Sequence, residues 1–105
     1  MKKYTVHMTP AASNALAQIF EYIAYELLAP DDAATQFSHL ENSIQSLASM
    51  PKRCKIFSKT LYPDKELRRL LVDNYSIFYY LNENEVIVAD ILYSRSDILK
   101  RLKNL

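Results

Sequence analysis

The sequence predicts an α+β domain in which an antiparallel helix hairpin packs on one face of a mainly antiparallel sheet. Three observations carry this reading. Two stretches in the first half repeat their apolar residues at helical spacing. Three stretches in the second half are rich in Leu, Ile, Val, Tyr and Phe, and the links between them are of hairpin length. A short alternating stretch precedes the helices. The chain has 105 residues, half of them apolar or aromatic and 24% charged. That balance suits a single domain over residues 1–105 and excludes a disordered chain, which lacks the apolar surface to offset ordering entropy.

The first element is a strand at Lys3–Met8, where Tyr4, Val6 and Met8 alternate with Thr5 and His7. Thr9 then offers a capping hydroxyl, and Pro10 has the fixed φ of a first helical residue. A helix therefore opens here and runs to about residue 28, with Leu16, Ile19, Phe20, Ile23 and Leu27 on one face. Pro30 opens a second helix, with Asp31 and Asp32 in the first turn, where the dipole favours acids. Its seam is Ala33, Phe37, Leu40, Ile44 and Leu47, and it ends near Ser49, before Pro51. So short a link folds the two helices back on each other.

Residues 51–65 hold two prolines and five basic residues and read as a long loop with one short strand at Lys55–Phe57. Strands follow at Leu67–Val72, Tyr75–Leu81 and Glu85–Tyr93, linked by Asp73-Asn74 and Asn82-Glu83-Asn84. Residues 96–104 form a short terminal helix with Ile98, Leu99 and Leu102 inward. The order is βααβββ plus that helix. The hairpin covers one sheet face and the first strand joins the same sheet. The other face stays partly open, edged by the basic loop and the tail. Glycine is absent, so backbone positions of positive φ fall to Asn or Asp.

Composition removes several functions. Without glycine there is no P-loop and no dinucleotide fingerprint, since both bring backbone close to phosphate. No apolar run reaches the ~18 residues that span a bilayer, and the basic N-terminus leads into no apolar stretch, so no signal peptide is expected. A lone Cys54 makes no internal disulfide, and the reducing cytoplasm is the expected compartment. His7, His39 and Cys54 lack the spacing of a zinc site, and no GxSxG or Cys–His arrangement supports a nucleophile. No metal or cofactor is called for. Cys54 reads as a bystander, although Lys52, Arg53 and Lys55 flank it.

Charge is segregated. Residues 1–50 carry two Lys against five acids, whereas residues 51–105 carry eleven basic residues against seven acids. One face for an anion or an acidic partner would follow from this, and so would a merely solvated face. Arg68, Arg69 and Arg95 are interleaved with Tyr75, Tyr79, Tyr80 and Tyr93, a pairing that suits RNA. The same tyrosines are also ordinary strand residues. Alternation puts Tyr75, Ile77, Tyr79 and Leu81 on one face, Ser76, Phe78 and Tyr80 on the other, and Arg68 and Arg69 on opposite faces. Asp90, an acid inside an apolar strand, calls for a structural ion pair with a nearby Arg. A plain nucleic-acid-binding module fits poorly, because a net charge of +1 attracts phosphate weakly.

Five stretches in order resemble the RelE/ParE superfamily of toxins from bacterial type II toxin–antitoxin modules. They are Tyr4-x-Val6-x-x-Thr9-Pro10-x-Ala12; Ile19-x-x-Tyr22-Ile23-Ala24-x-Glu26-Leu27-x-x-Pro30; Leu47-x-x-Met50-Pro51-x-Arg53; Leu67-Arg68-Arg69-Leu70-x-Val72-x-Asn74-Tyr75-x-Ile77-Phe78-Tyr79; and Ile91-Leu92-Tyr93-x-Arg95-x-Asp97. The resemblance implies a small cytoplasmic toxin held inactive by a cognate antitoxin. A disordered or helical antitoxin segment would wrap it and fold on binding. It leaves a dimer and a toxin–antitoxin heterotetramer both open.

Two branches differ in activity. RelE-like members are ribosome-dependent mRNA endonucleases, in which the RNA 2′-OH attacks the adjacent phosphate without a metal. ParE-like members inhibit DNA gyrase and are not nucleases. Ser76 follows Asn74-Tyr75 where the nucleases place an Arg, and Tyr93-Ser94-Arg95-Ser96-Asp97 lacks their later Tyr or His. The ParE-like branch is favoured. A nuclease would use Arg69 and Arg95 on the phosphate, with Tyr93 or Glu66 moving protons. Lys52, Arg53, Lys55, Arg68, Lys100 and Arg101 are the candidate contacts to the target or to RNA.

Overall fold

A computed structural model describes residues 3–62 and 64–102. The chain opens with strand β1 (Thr5–Met8) and helix α1 (Pro10–Glu21). Between them the Thr9 hydroxyl accepts the Ala12 N–H at 3.1 Å and donates to the Ala89 carbonyl at 2.8 Å. One side chain thus caps the helix and ties it to the last strand. The helix does not run unbroken to residue 28. Tyr22–Glu26 form a π-helical turn, in which the Leu27 N–H reaches back five residues to the Tyr22 carbonyl. The wider turn rotates Leu27 off the apolar stripe and leaves it 57% exposed.

Helix α2 (Pro30–Ser46) starts at the expected proline and carries Asp31 and Asp32 in its first turn. It ends before Ser49 because its last N–H groups tighten to partners three residues back. The Arg53 guanidinium then donates to the Ser46 and Ser49 carbonyls at 3.2 and 3.0 Å and to Ser46 Oγ at 2.8 Å. A 3₁₀ turn (Pro51–Arg53) and a three-residue strand β2 (Ile56–Ser58) follow, β2 lying one residue later than the sequence suggests.

Strands β3 (Leu67–Val72), β4 (Tyr75–Asn82) and β5 (Glu85–Tyr93) form the expected meander. The sheet has five strands in the order β1-β5-β4-β3-β2. β1 lies parallel to β5, from Thr5 beside Glu85 to Met8 beside Val88, and the other pairs are antiparallel. The helix hairpin covers one face, where Leu16, Leu40, Ile44, Leu47, Ile77 and Tyr79 form the main core.

The second face is not open as expected. Phe57, Leu61 and Tyr62 from the basic loop and Ile98 and Leu102 from helix α3 (Ile98–Leu102) pack on Leu67, Phe78, Ala89 and Leu92. Ile98 and Leu102 lie one turn apart and turn inward together, so Leu99 is exposed instead of buried. Residues 103 and 104 of the expected tail helix lie outside the described residues.

Positive φ falls on Leu28, Met50, Asp73 and Glu83. Among the described residues only Asp73 meets the expectation of Asn or Asp. Leu28 and Met50 are 83% and 64% exposed, so their side chains clear the fold while their backbone carries the strain.

Candidate functional site

β1 stops at Met8, and at Thr9 the chain turns away into α1. The Thr9 N–H bonds the Val88 carbonyl and the Thr9 hydroxyl bonds that of Ala89. Beyond these, β5 has lost its neighbour on that side. The Ser94 N–H bonds the Asn74 carbonyl. By alternation, Ile91 and Tyr93 aim their main-chain groups away from β4, toward the vacated edge. That edge floors a groove of about 1000 Å³ whose other wall is α1 and the π turn.

The helix wall presents Ala15, Ile19, Tyr22 and Leu27, and the sheet wall presents Tyr75 and Tyr93. The Tyr75 and Tyr93 rings meet edge to face with centroids 5.8 Å apart. Burial pushes the Tyr75 hydroxyl above its usual pKa, and the neighbouring Tyr93 and Tyr22 phenols add to this. It remains a neutral hydrogen-bonding group.

Asp90 also lines the groove and is 9% exposed. Its Oδ1 accepts the Ile91 N–H at 2.8 Å. Burial raises this carboxyl above the ordinary range, and the Ile91 hydrogen bond and the Arg101 charge pull the other way. The expected ion pair is not formed: among the described residues no Arg or Lys lies within 4.0 Å of Asp90. The cation nearest in function, Arg101, sits on α3 and shares the groove lining without closing on the acid.

The residues expected for a nuclease are not brought together. Arg69 lies on the second sheet face, where its Nε donates to Ser76 Oγ at 2.9 Å. Its guanidinium is 5.6 and 5.9 Å from the Phe57 and Phe78 ring centroids. Tyr93 is on the helix face, beside Tyr75, and Arg95 is exposed in the turn after β5. Glu66 is exposed and meets Arg68 at 3.5 Å.

The basic loop divides its work. Arg68 Nη1 donates to the Lys52 and Cys54 carbonyls at 3.2 and 2.6 Å, and Arg53 caps α2, so these two cations hold the loop in place. Lys52 and Lys55 are exposed, as are Lys100 and Arg101 on α3. His7 meets Glu85 at 2.9 Å on the outer edge of the sheet. His39 and Gln36 hydrogen-bond Asp73 at 3.1 and 3.0 Å, which holds its carboxyl below the usual range and pins the β3–β4 turn to α2. Among the described residues no cluster of three His, Cys, Asp or Glu could hold a metal ion, and no helix is long and apolar enough to cross a membrane.

Sequence reasoning did not single out Tyr22, Leu27 or the groove position of Asp90. The available signal was at the end of the first helix. Tyr22, Tyr25 and Leu28 fall off its apolar face, and large apolar residues off the core stripe are candidates for contact with something else.

A family model described as the ParE toxin of the type II toxin–antitoxin system parDE matches residues 6–98. Among solved structures, the chain is similar to one described as the chromosomal ParDE TA system from P. aeruginosa. The TM-score is 0.71 at 15% identity, over 87% of this chain and 96% of that one. At that identity the likeness is one of fold. No curated protein gives a significant match. The family match runs from β1 into α3, through both helices, the basic loop and the whole meander. The chain belongs to the ParE toxin family of type II toxin–antitoxin systems.

Proposed function

We propose that this chain arrests growth by inhibiting DNA gyrase and that a cognate antitoxin neutralises it by laying a helical segment in the groove beside α1. The observation that carries the gyrase reading is the placement of Arg69. A ribonuclease must present cations to a phosphorane and groups that move two protons. Here Arg69 is tied to Ser76 and packed against two phenyl rings, while Tyr93 lies across the sheet from it. That arrangement supports a surface that binds a protein target over one that cuts RNA. Lys52, Lys55 and Lys100 are exposed cations that such a surface would offer.

The groove supports the antitoxin reading. From Ala11 to Tyr22 the helix wall is ~16 Å long at 1.5 Å per residue, about three turns of an incoming helix. Its apolar and aromatic lining suits the apolar face of an amphipathic segment. Both activities belong in the cytoplasm, where Cys54 stays reduced.

The test is a short induction in bacteria without antitoxin, following thymidine and methionine incorporation over the first minutes. Thymidine should fall first, and purified toxin should block supercoiling by gyrase. If methionine falls first, with cut mRNA ends at the ribosome, the gyrase reading is lost to the nuclease. If neither falls, this copy is not an active toxin.

A further inference from the structure

We infer that Asp90 is the specificity anchor of the groove and takes a Lys or Arg side chain from the antitoxin segment seated there. This rests on the antitoxin reading above and adds the chemistry of the partner. Asp90 stands on the groove floor, nine-tenths buried. Oδ1 is occupied by the Ile91 N–H, and Oδ2 accepts no hydrogen bond among the described residues. Among those residues no sealed side-chain oxygen lacks a partner, so Oδ2 keeps some exposure, at the β5 edge that lines the groove, with Arg101 and Tyr62 as its charged and phenolic neighbours.

A carboxylate in this position is costly to the isolated chain. Its neighbours Ala89 and Ile91 are core residues, and an apolar side chain would serve β5 better there. The charge is compensated when a cation arrives from the partner. The groove favours such an arrival. Its charged lining is Asp32 and Asp90 against Arg101, a net negative site on a chain of net charge +1. A neutral or acidic residue of the partner would leave the buried oxygen unmatched, so the position discriminates among antitoxins as well as holding one.

The probe is a displayed library of 20-residue helical peptides selected on the intact chain. Groove binders are identified by loss of binding to Asn14→Trp, which fills the exposed rim of α1. They should carry Lys or Arg at one fixed helix position. Replacing that residue by Gln should weaken binding to the wild type by about tenfold or more. The same replacement should change binding to Asp90→Asn less than twofold, and selection on Asp90→Asn should lose the cation. Thermal melting of both variants confirms that they fold. Groove binders with no preferred cationic position overturn the anchor and leave the groove reading standing. Binders indifferent to Asn14→Trp, or no binders at all, overturn both.

Discussion

Replacing Tyr79 by Phe removes one oxygen from the middle of the molecule. Tyr79 is fully buried in β4, and its hydroxyl donates to the Pro51 carbonyl at 2.6 Å. Pro51 is itself buried, so the acceptor is left without a partner and without water. The desolvation penalty of such a group is about 1–3 kcal/mol. At ~2.1 cal/mol/K per residue the 105-residue chain unfolds with an entropy near 0.22 kcal/mol/K, so the melting temperature should fall by roughly 5–14 °C. Circular dichroism melts at pH 7 measure this. Tyr80→Phe is the control: its ring packs on Tyr62, its hydroxyl makes no hydrogen bond among the described residues, and the change should stay within about 0.5 kcal/mol. A pH series adds a second reading. Burial first, then the neighbouring Cys54, pushes the Tyr79 hydroxyl above the usual tyrosine value. A raised value means that the unfolded chain gives up its proton first. The stabilisation is therefore complete below pH 10 and is lost as pH climbs toward the folded value. The gap between wild type and Tyr79→Phe should narrow above pH 10. A Tyr79→Phe melt within about 2 °C of wild type would refute the claim that this bond pins the 3₁₀ turn to the sheet.

Thr9→Ala should cost about 1.5–3 kcal/mol, since it uncaps α1 and strands the Ala89 carbonyl, and Thr9→Ser should recover most of it; urea midpoints report both. Leu28→Gly and Met50→Gly should each raise stability by about 0.5–1 kcal/mol, because both residues are exposed and held at φ near +50°; a fall at either site would show that the side chain packs usefully there. Asp90→Asn should melt above the wild type at pH 7. The Asp90 carboxyl is raised by burial, so the unfolded chain ionises first as pH rises, and the folded state loses stability above the unfolded value. The advantage of Asn should shrink as pH drops below 4, and an advantage independent of pH would assign the effect to something other than the charge.

The elements with strong local signals were legible in the sequence. Thr9-Pro10 announces α1 by its hydroxyl and its missing N–H, and Pro30-Asp31-Asp32 announces α2 by its proline and by the acids of its first turn, without a capping side chain. β3 and β5 match residue for residue, because each is a β-rich run bounded by turn residues. What was not legible depends on contacts distant in sequence. β2 is three residues long and is made a strand by bonds near Leu67 and Arg68, across a bulge. The π turn leaves no periodic trace, since it inserts a single residue into a pattern that otherwise continues. Positive φ at Leu28 and Met50 follows from chain reversals that had to be made without glycine. Asp90 was recognised as a buried acid, but its partner was misjudged. A cation at residue 101 has the right sign, and only the fold shows that it stops short. The groove could not be read at all, because it exists where β1 ends early beside β5, a fact about two segments some eighty residues apart.

The pairing of β1 with β5 has a consequence for synthesis. The first strand waits for almost the last one, and β4 waits for the same neighbour. At about 5–20 residues per second, a ribosome needs roughly 4–17 seconds to pass from β1 to Val88. During that time the helix hairpin can meet only β2, β3 and β4, and β1 has no partner strand, because its pairing with β5 is non-local. A message cut or a ribosome stalled before Glu85 therefore yields a fragment without β5, the strand that joins β1 to the rest of the sheet. The groove, floored by β5 and walled by α1, is thus completed only when β5 has been made, however early its helix wall forms.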